Sequence, residues 1–126
     1  MAIRSLDDVL KNSPDGPLQR RLASSKRQHE SLAAETKALL RAQGKEAKPA
    51  DPAARAMSWM KAEAMLAMKP GDATTADLIS TGCSMGIKSL ARYCNQYPTA
   101  SREAKDIAQS LIRLEDQLVK DMRPYL

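Results

Sequence analysis

Residues 74–97 read TTADLISTGCSMGIKSLARYCNQY, and the fold turns on this stretch. Wound as an α-helix, it places Ile79, Cys83, Ile87, Leu90, Cys94 and Tyr97 on one face at steps of three and four, the repeat of a helix seated against other helices. Gly82 and Gly86 sit in the middle, where each costs up to about 1 kcal/mol relative to Ala if propensity alone decides. Two compensations are open: a neighbouring helix passing so close that no side chain fits, or a local kink or π-bulge. The first marks Gly82 and Gly86 as helix-packing positions.

Composition agrees with helices throughout. The 126 residues contain no Phe and only 3% aromatic residues, while Ala, Leu, Met, Lys, Arg, Gln and Glu, good helix formers and poor strand formers, are plentiful. No segment alternates at period two, so the class is all-α and the length is that of one domain able to fold without metal or disulfide. Cys83 and Cys94 lie eleven residues apart on one predicted helix, roughly 16 Å at 1.5 Å per residue, too far for a bridge that needs Cα atoms within about 7 Å. They read as reduced thiols. No apolar run is long enough to span a membrane and the first residues lack a signal peptide's pattern, so the expected location is cytoplasmic, without membrane contact.

Outward from the central stretch, punctuation divides the chain. Ser5 is placed to cap a short helix, and Ser13-Pro14-Asp15-Gly16-Pro17 ends it, leaving residues 1–16 as a short leading helix and turn. Pro17 opens a helix to about residue 43 with Gly44 as its stop. Along it Leu18, Leu22, Ser25, His29, Leu32, Thr36 and Leu39 form a heptad seam with three polar members. After the polar linker at 44–50, Asp51-Pro52 starts a helix to about residue 69, with Met57 and Met60 in its apolar stripe and Trp59 beside it. Lys69-Pro70-Gly71 turns the chain tightly into a helix of about 73–97, its cap supplied by Asp72 or a following threonine. Tyr97-Pro98-Thr99 breaks it, and a last helix of about 100–123, capped by Thr99 or Ser101, carries Ala104, Ile107, Leu111, Leu114, Leu118 and Met122 as the cleanest amphipathic seam. Residues 17–126 thus predict an antiparallel up-down-up-down four-helix bundle.

From about Leu39 onward the chain resembles an uncharacterised group of small bacterial proteins, chiefly of anaerobic and spore-forming lineages, whose bundles look ferritin-like. The resemblance rests on LISTGCSMGIKSLARYCNQY, especially Gly82, Met85, Gly86, Ile87 and Asn95-Gln96-Tyr97, and on LIRLEDQLVKDMRPYL. It implies a ferritin-like bundle and brings no activity with it. The di-metal chemistry of such bundles needs a Glu from each of two helices and a Glu-x-x-His pair from each of the other two. With one histidine, His29, and only Asp77 as a carboxylate on the 74–97 helix, that ligand set is absent. No cofactor or metal is expected.

Each remaining feature carries a sharp and a bland reading. Ser25, His29 and Thr36 form a candidate polar core pocket; the bland reading is a hydrogen-bonded core histidine, and no catalytic residue is assigned because no Cys-His signature accompanies it. Met57, Trp59 and Met60 form a candidate interface, with Cu(I) binding by thioethers and plain core filling as the alternatives. The net charge of +5 gathers on the first long helix, where six cations face Glu30 and Glu35, a solvated face or a nucleic-acid track without aromatic interleaving. The leading expectation is a non-enzymatic structural or interaction bundle, a homo-oligomer through one helix face. The alternatives are a ferritin-like binder of a metal or small ligand around His29, and a basic nucleic-acid-associated protein.

Overall fold

The computed structural model describes residues 2–12, 16–46 and 52–126, with the side chains of residues 12, 54–56, 58 and 59 outside the description. Those residues form five α-helices, α1 Ala2–Asn12, α2 Pro17–Ala42, α3 Pro52–Met68, α4 Asp72–Gln96 and α5 Arg102–Met122, followed by a single 3₁₀ turn at Arg123–Tyr125. No strand occurs among them, as the composition requires. The punctuation acts where expected. Gly44, at φ 69°, ends α2 in the left-handed conformation that favours glycine, and Lys45 N–H closes back on the Leu40 carbonyl at 2.8 Å. Ser101 caps α5 by accepting from the Ala104 N–H at 3.2 Å. Two expected caps differ. α1 starts at Ala2, so Ser5 lies inside the helix, and α4 has Gly71 at its N-cap with no side-chain cap. Asp72 instead stands in the first turn, where the helix dipole favours its charge.

Arg21 pairs with Asp121 at 3.2 Å and His29 faces Glu115 at 3.9 Å, so residue numbers fall along α5 as they rise along α2, and the two helices are antiparallel. α5 packs most extensively on α4 and next on α2, while α1 packs on α2 and α4. The four stand in a ring with α2 and α4 across its diagonal. Their shared core is Leu6 and Val9 from α1, Leu18 and Leu22 from α2, Ala76, Ile79 and Cys83 from α4, and Leu118 and Met122 from α5. The first halves of α2 and α4 and the second half of α5 are therefore closed at one end by α1, to which Asp7 adds an ion pair with Lys26 at 2.6 Å. That hydrogen bond with Asp7 is the main reason the Lys26 ammonium is held above its usual pKa.

Beyond the reach of α1 the same faces are only half-buried, at Leu39, Leu40, Ile87, Leu90, Ile107 and Leu111. α3 is the helix that contributes nothing described to the core. Its packing is thin and chiefly against α4, none of its described side chains is buried, and Met57, Met60 and Met68 are 73%, 63% and 87% exposed. The face of α4 also fades along its length, since Cys94 is half-buried and Tyr97 exposed.

Stability should follow this division. Leu22 is fully buried, so Leu22→Ala should lose about 2–5 kcal/mol in urea titration, whereas Met60→Ala should stay within about 0.5 kcal/mol of the parent.

Candidate functional site

The polar positions of the α2 seam separate into two groups. Ser25 and His29 are 5% and 4% exposed, one turn apart on the face that α2 turns to α5. His29 Nδ1 lies 2.9 Å from the Ser25 carbonyl and 3.4 Å from Ser25 Oγ. A carbonyl only accepts, so Nδ1 carries the proton and Nε2 is the nitrogen presented to the interior. Thr36 does not join them. It is half-buried and donates its hydroxyl to the Leu32 carbonyl one turn back, at 2.8 Å, a local bond that satisfies it within its own helix.

What His29 meets instead is Glu115, a residue that sequence reasoning passed over. Its carboxylate is buried, with Oε1 3.9 Å from His29 Nε2, a separation beyond hydrogen-bond reach but within electrostatic range. Three buried polar atoms of this region, His29 Nε2, Glu115 Oε2 and Ser80 Oγ, have no hydrogen-bond partner among the described residues. A signal for Glu115 existed. Ala108, Ile112 and Val119 broaden the apolar seam of α5, and Glu115 occupies the position between Ile112 and Val119 where that series calls for an apolar side chain.

Gly86 explains how the carboxylate fits. A Cβ built on Gly86 would stand 2.7 Å from Glu115 Oε1 and 2.8 Å from Cδ, and would overlap Oε2. The close approach inferred for this glycine is present, made by a carboxylate from α5 rather than by a second backbone. Gly82 requires correction: it is exposed, and a Cβ there would meet nothing within 4 Å. Although it shares a helix face with Gly86, no described residue packs against it.

Cys83 stands one turn before Gly86 on α4 and is 8% exposed. Burial, reinforced by the negative charge of Glu115, pushes its thiol up to about 12. It is therefore a protonated thiol at neutral pH, a packing group and not a nucleophile. Both cysteines are free thiols, as their spacing requires. Among the described residues no group of three or more His, Cys, Asp or Glu is arranged to hold a metal ion.

Above this buried cluster a groove of about 550 Å³ opens between α2 and α5, with Ser25, Gln28 and Ser31 on one wall and Ser110 and Gln117 on the other. It contains neither His29 nor Thr36. The basic surplus of α2 is partly answered in place, Arg21 by Asp121 and Lys26 by Asp7 and Glu30. Of the candidate interface, Met57 and Met60 are on the surface, and the side chain of Trp59 lies outside the described residues. No described helix is long and apolar enough to cross a membrane. No protein-family model, no curated protein and no solved structure matches this chain.

Two expectations follow from the cluster. Gly86→Ala should destabilise the folded chain in denaturant titration and do so less in a Glu115→Ala background, with a coupling of about 1–3 kcal/mol; additive effects would mean the contact does not exist. In thiol titration near pH 8, Cys94 should react and Cys83 should stay silent until the chain unfolds.

Proposed function

We propose that this chain is a non-enzymatic interaction module that self-associates through α3. The observation that carries this reading is the mismatch between the composition of α3 and its surroundings. Of its 17 residues only Arg55, Lys61 and Glu63 are charged, the make-up of a helix buried on every side, yet Met57, Met60, Ala64 and Met68 are exposed on one stripe. Contiguous apolar surface of this kind marks a contact site, and methionine suits one that must adapt to its partner. In this reading Trp59 supplies the aromatic anchor. A near-neutral helix also lets two chains of net charge +5 meet without opposing like charges. The same reading takes the bundle as ferritin-like and the chain as a cytoplasmic bacterial protein, with α3 outside the core that α1, α2, α4 and α5 share.

A second reading, a small-ligand site over His29, draws on Ser25, which both lines the α2–α5 groove and contacts the His29 ring. Its ligand would enter the groove and disturb the imidazole resonances of His29.

A contact confined to one helix pair falls at the low end of interface size and implies reversible association with a Kd in the micromolar range. Sedimentation velocity from about 1 to 100 µM should show the mass rising from monomer towards dimer across that range. Met57→Gln combined with Met60→Gln should hold the chain monomeric; a parent chain monomeric throughout contradicts the proposal.

A further inference from the structure

The ring of helices has one position with two claimants. α1 occupies the groove between α2 and α4, where Leu6 and Val9 join the core. The chain order gives α3 a claim to the same groove. α3 leaves from the far end of α2 through residues 43–51 and ends three residues before α4 begins, so it returns between the two helices that flank the groove. α3 has 17 residues, about 25 Å at 1.5 Å per residue, and α1 has 11, about 16 Å. Because Lys69, Pro70 and Gly71 tether its end beside the start of α4, α3 cannot lie in the groove without passing through the space α1 fills.

The apolar balance favours neither claimant outright. α1 offers Ile3, Leu6, Val9 and Leu10, and adds the Asp7–Lys26 pair. α3 offers a longer apolar surface, of which Met57, Met60, Ala64 and Met68 are exposed and only Ala62, Met65 and Leu66 among its described side chains are half-buried. It would also cover part of the half-buried surface beyond α1, including Leu40, Ile87 and Leu90. The turn between α3 and α4 contains Gly71 at φ 131°, a conformation that side chains rarely adopt and that leaves open space around its Cα.

We propose that α1 and α3 are alternative occupants of the one groove between α2 and α4, and that docking of α1 is what holds the methionine stripe of α3 outward. The chain is then a two-state element: with α1 in place α3 is available to a second copy, and with α1 released α3 closes the bundle and withdraws that surface. The consequence for association rests on the interaction reading above; the exchange itself does not.

The test uses the full chain with Leu6→Asp and Val9→Asp, which expel α1 from an apolar site, and follows oxidation of individual methionines by dilute peroxide and mass spectrometry. Met85, on α4 and 66% exposed, is the internal reference. In the parent, Met57, Met60 and Met68 should oxidise at the rate of Met85. In the variant, Met57 and Met60 should slow by roughly tenfold or more, as groups reached only through local opening do, while unfolding remains cooperative. Oxidation that keeps pace with Met85 overturns the exchange, as does loss of cooperative unfolding, since α3 would then not replace α1. A second variant, Asp7→Cys with Lys26→Cys in a Cys94→Ser background, bridged by a short bismaleimide that replaces the reach of the Lys26 side chain, locks α1 in place. Its Met57 and Met60 should keep the parent's rate, and protection appearing with the lock closed would also overturn it. A parent chain that stays monomeric would remove the self-association reading and leave this result unaffected.

Discussion

An apolar core needs a wall on every side, and in this molecule the last wall is eleven residues long. Leu6 and Val9 of α1 complete the enclosure of Leu18, Leu22, Ala76, Ile79, Leu118 and Met122. Where α1 stops, enclosure stops. Side chains that continue the same faces along α2, α4 and α5 retain partial contact with water, although their helical periodicity is no weaker than that of the buried segments. The hydrophobic term scales with area removed from water, so it is concentrated at one end. An isolated helix of this length is marginal in water. α1 therefore depends on the groove as much as the groove depends on α1.

At the inner edge of that closed region the core admits a carboxylate. Taking an ion out of water costs several kcal/mol even after relaxation, and Glu115 is accommodated by the missing side chain of Gly86, which makes room for it, while its carboxylate stands 3.9 Å from the His29 ring that the Ser25 carbonyl orients. The arrangement links α2, α4 and α5 at one level. It constrains register, because a slip of α5 by one residue along α4 would drive the carboxylate away from the glycine. Burial, with the same charge as a second cause, keeps Cys83 protonated, so the thiol beside the carboxylate is silent.

Much of this was legible in the residues. Helix bounds for α2 to α5 fall within two residues of expectation because prolines at 17 and 52, Gly44, Gly71 and Ser101 act locally, and local signals survive folding. The buried polar pair Ser25 and His29 was visible as a break in the seam. Glu115 was not picked out, since its answering glycine lies 29 positions away and only the packing of α5 on α4 brings them together. Gly82 and Gly86 looked equivalent because spacing alone does not say on which side of a helix its neighbour passes. Least legible was the competition between α1 and α3: both have amphipathic or apolar faces, and which one enters the groove depends on tethers and shared space that no single helix records.

The picture is of a bundle closed at one end, open at the other, with an apolar helix held outside it. Its most direct test is native-state hydrogen exchange resolved to individual amides. Amides flanking Leu22, Ile79 and Leu118 should exchange only through global unfolding and those flanking Leu6 through release of α1, more slowly than an exposed helix, while those of α3 and of α4 beyond Leu90 exchange orders of magnitude faster through local opening. Protection of α3 equal to that of α5, or of α1 no greater than that of an exposed helix, would contradict the account.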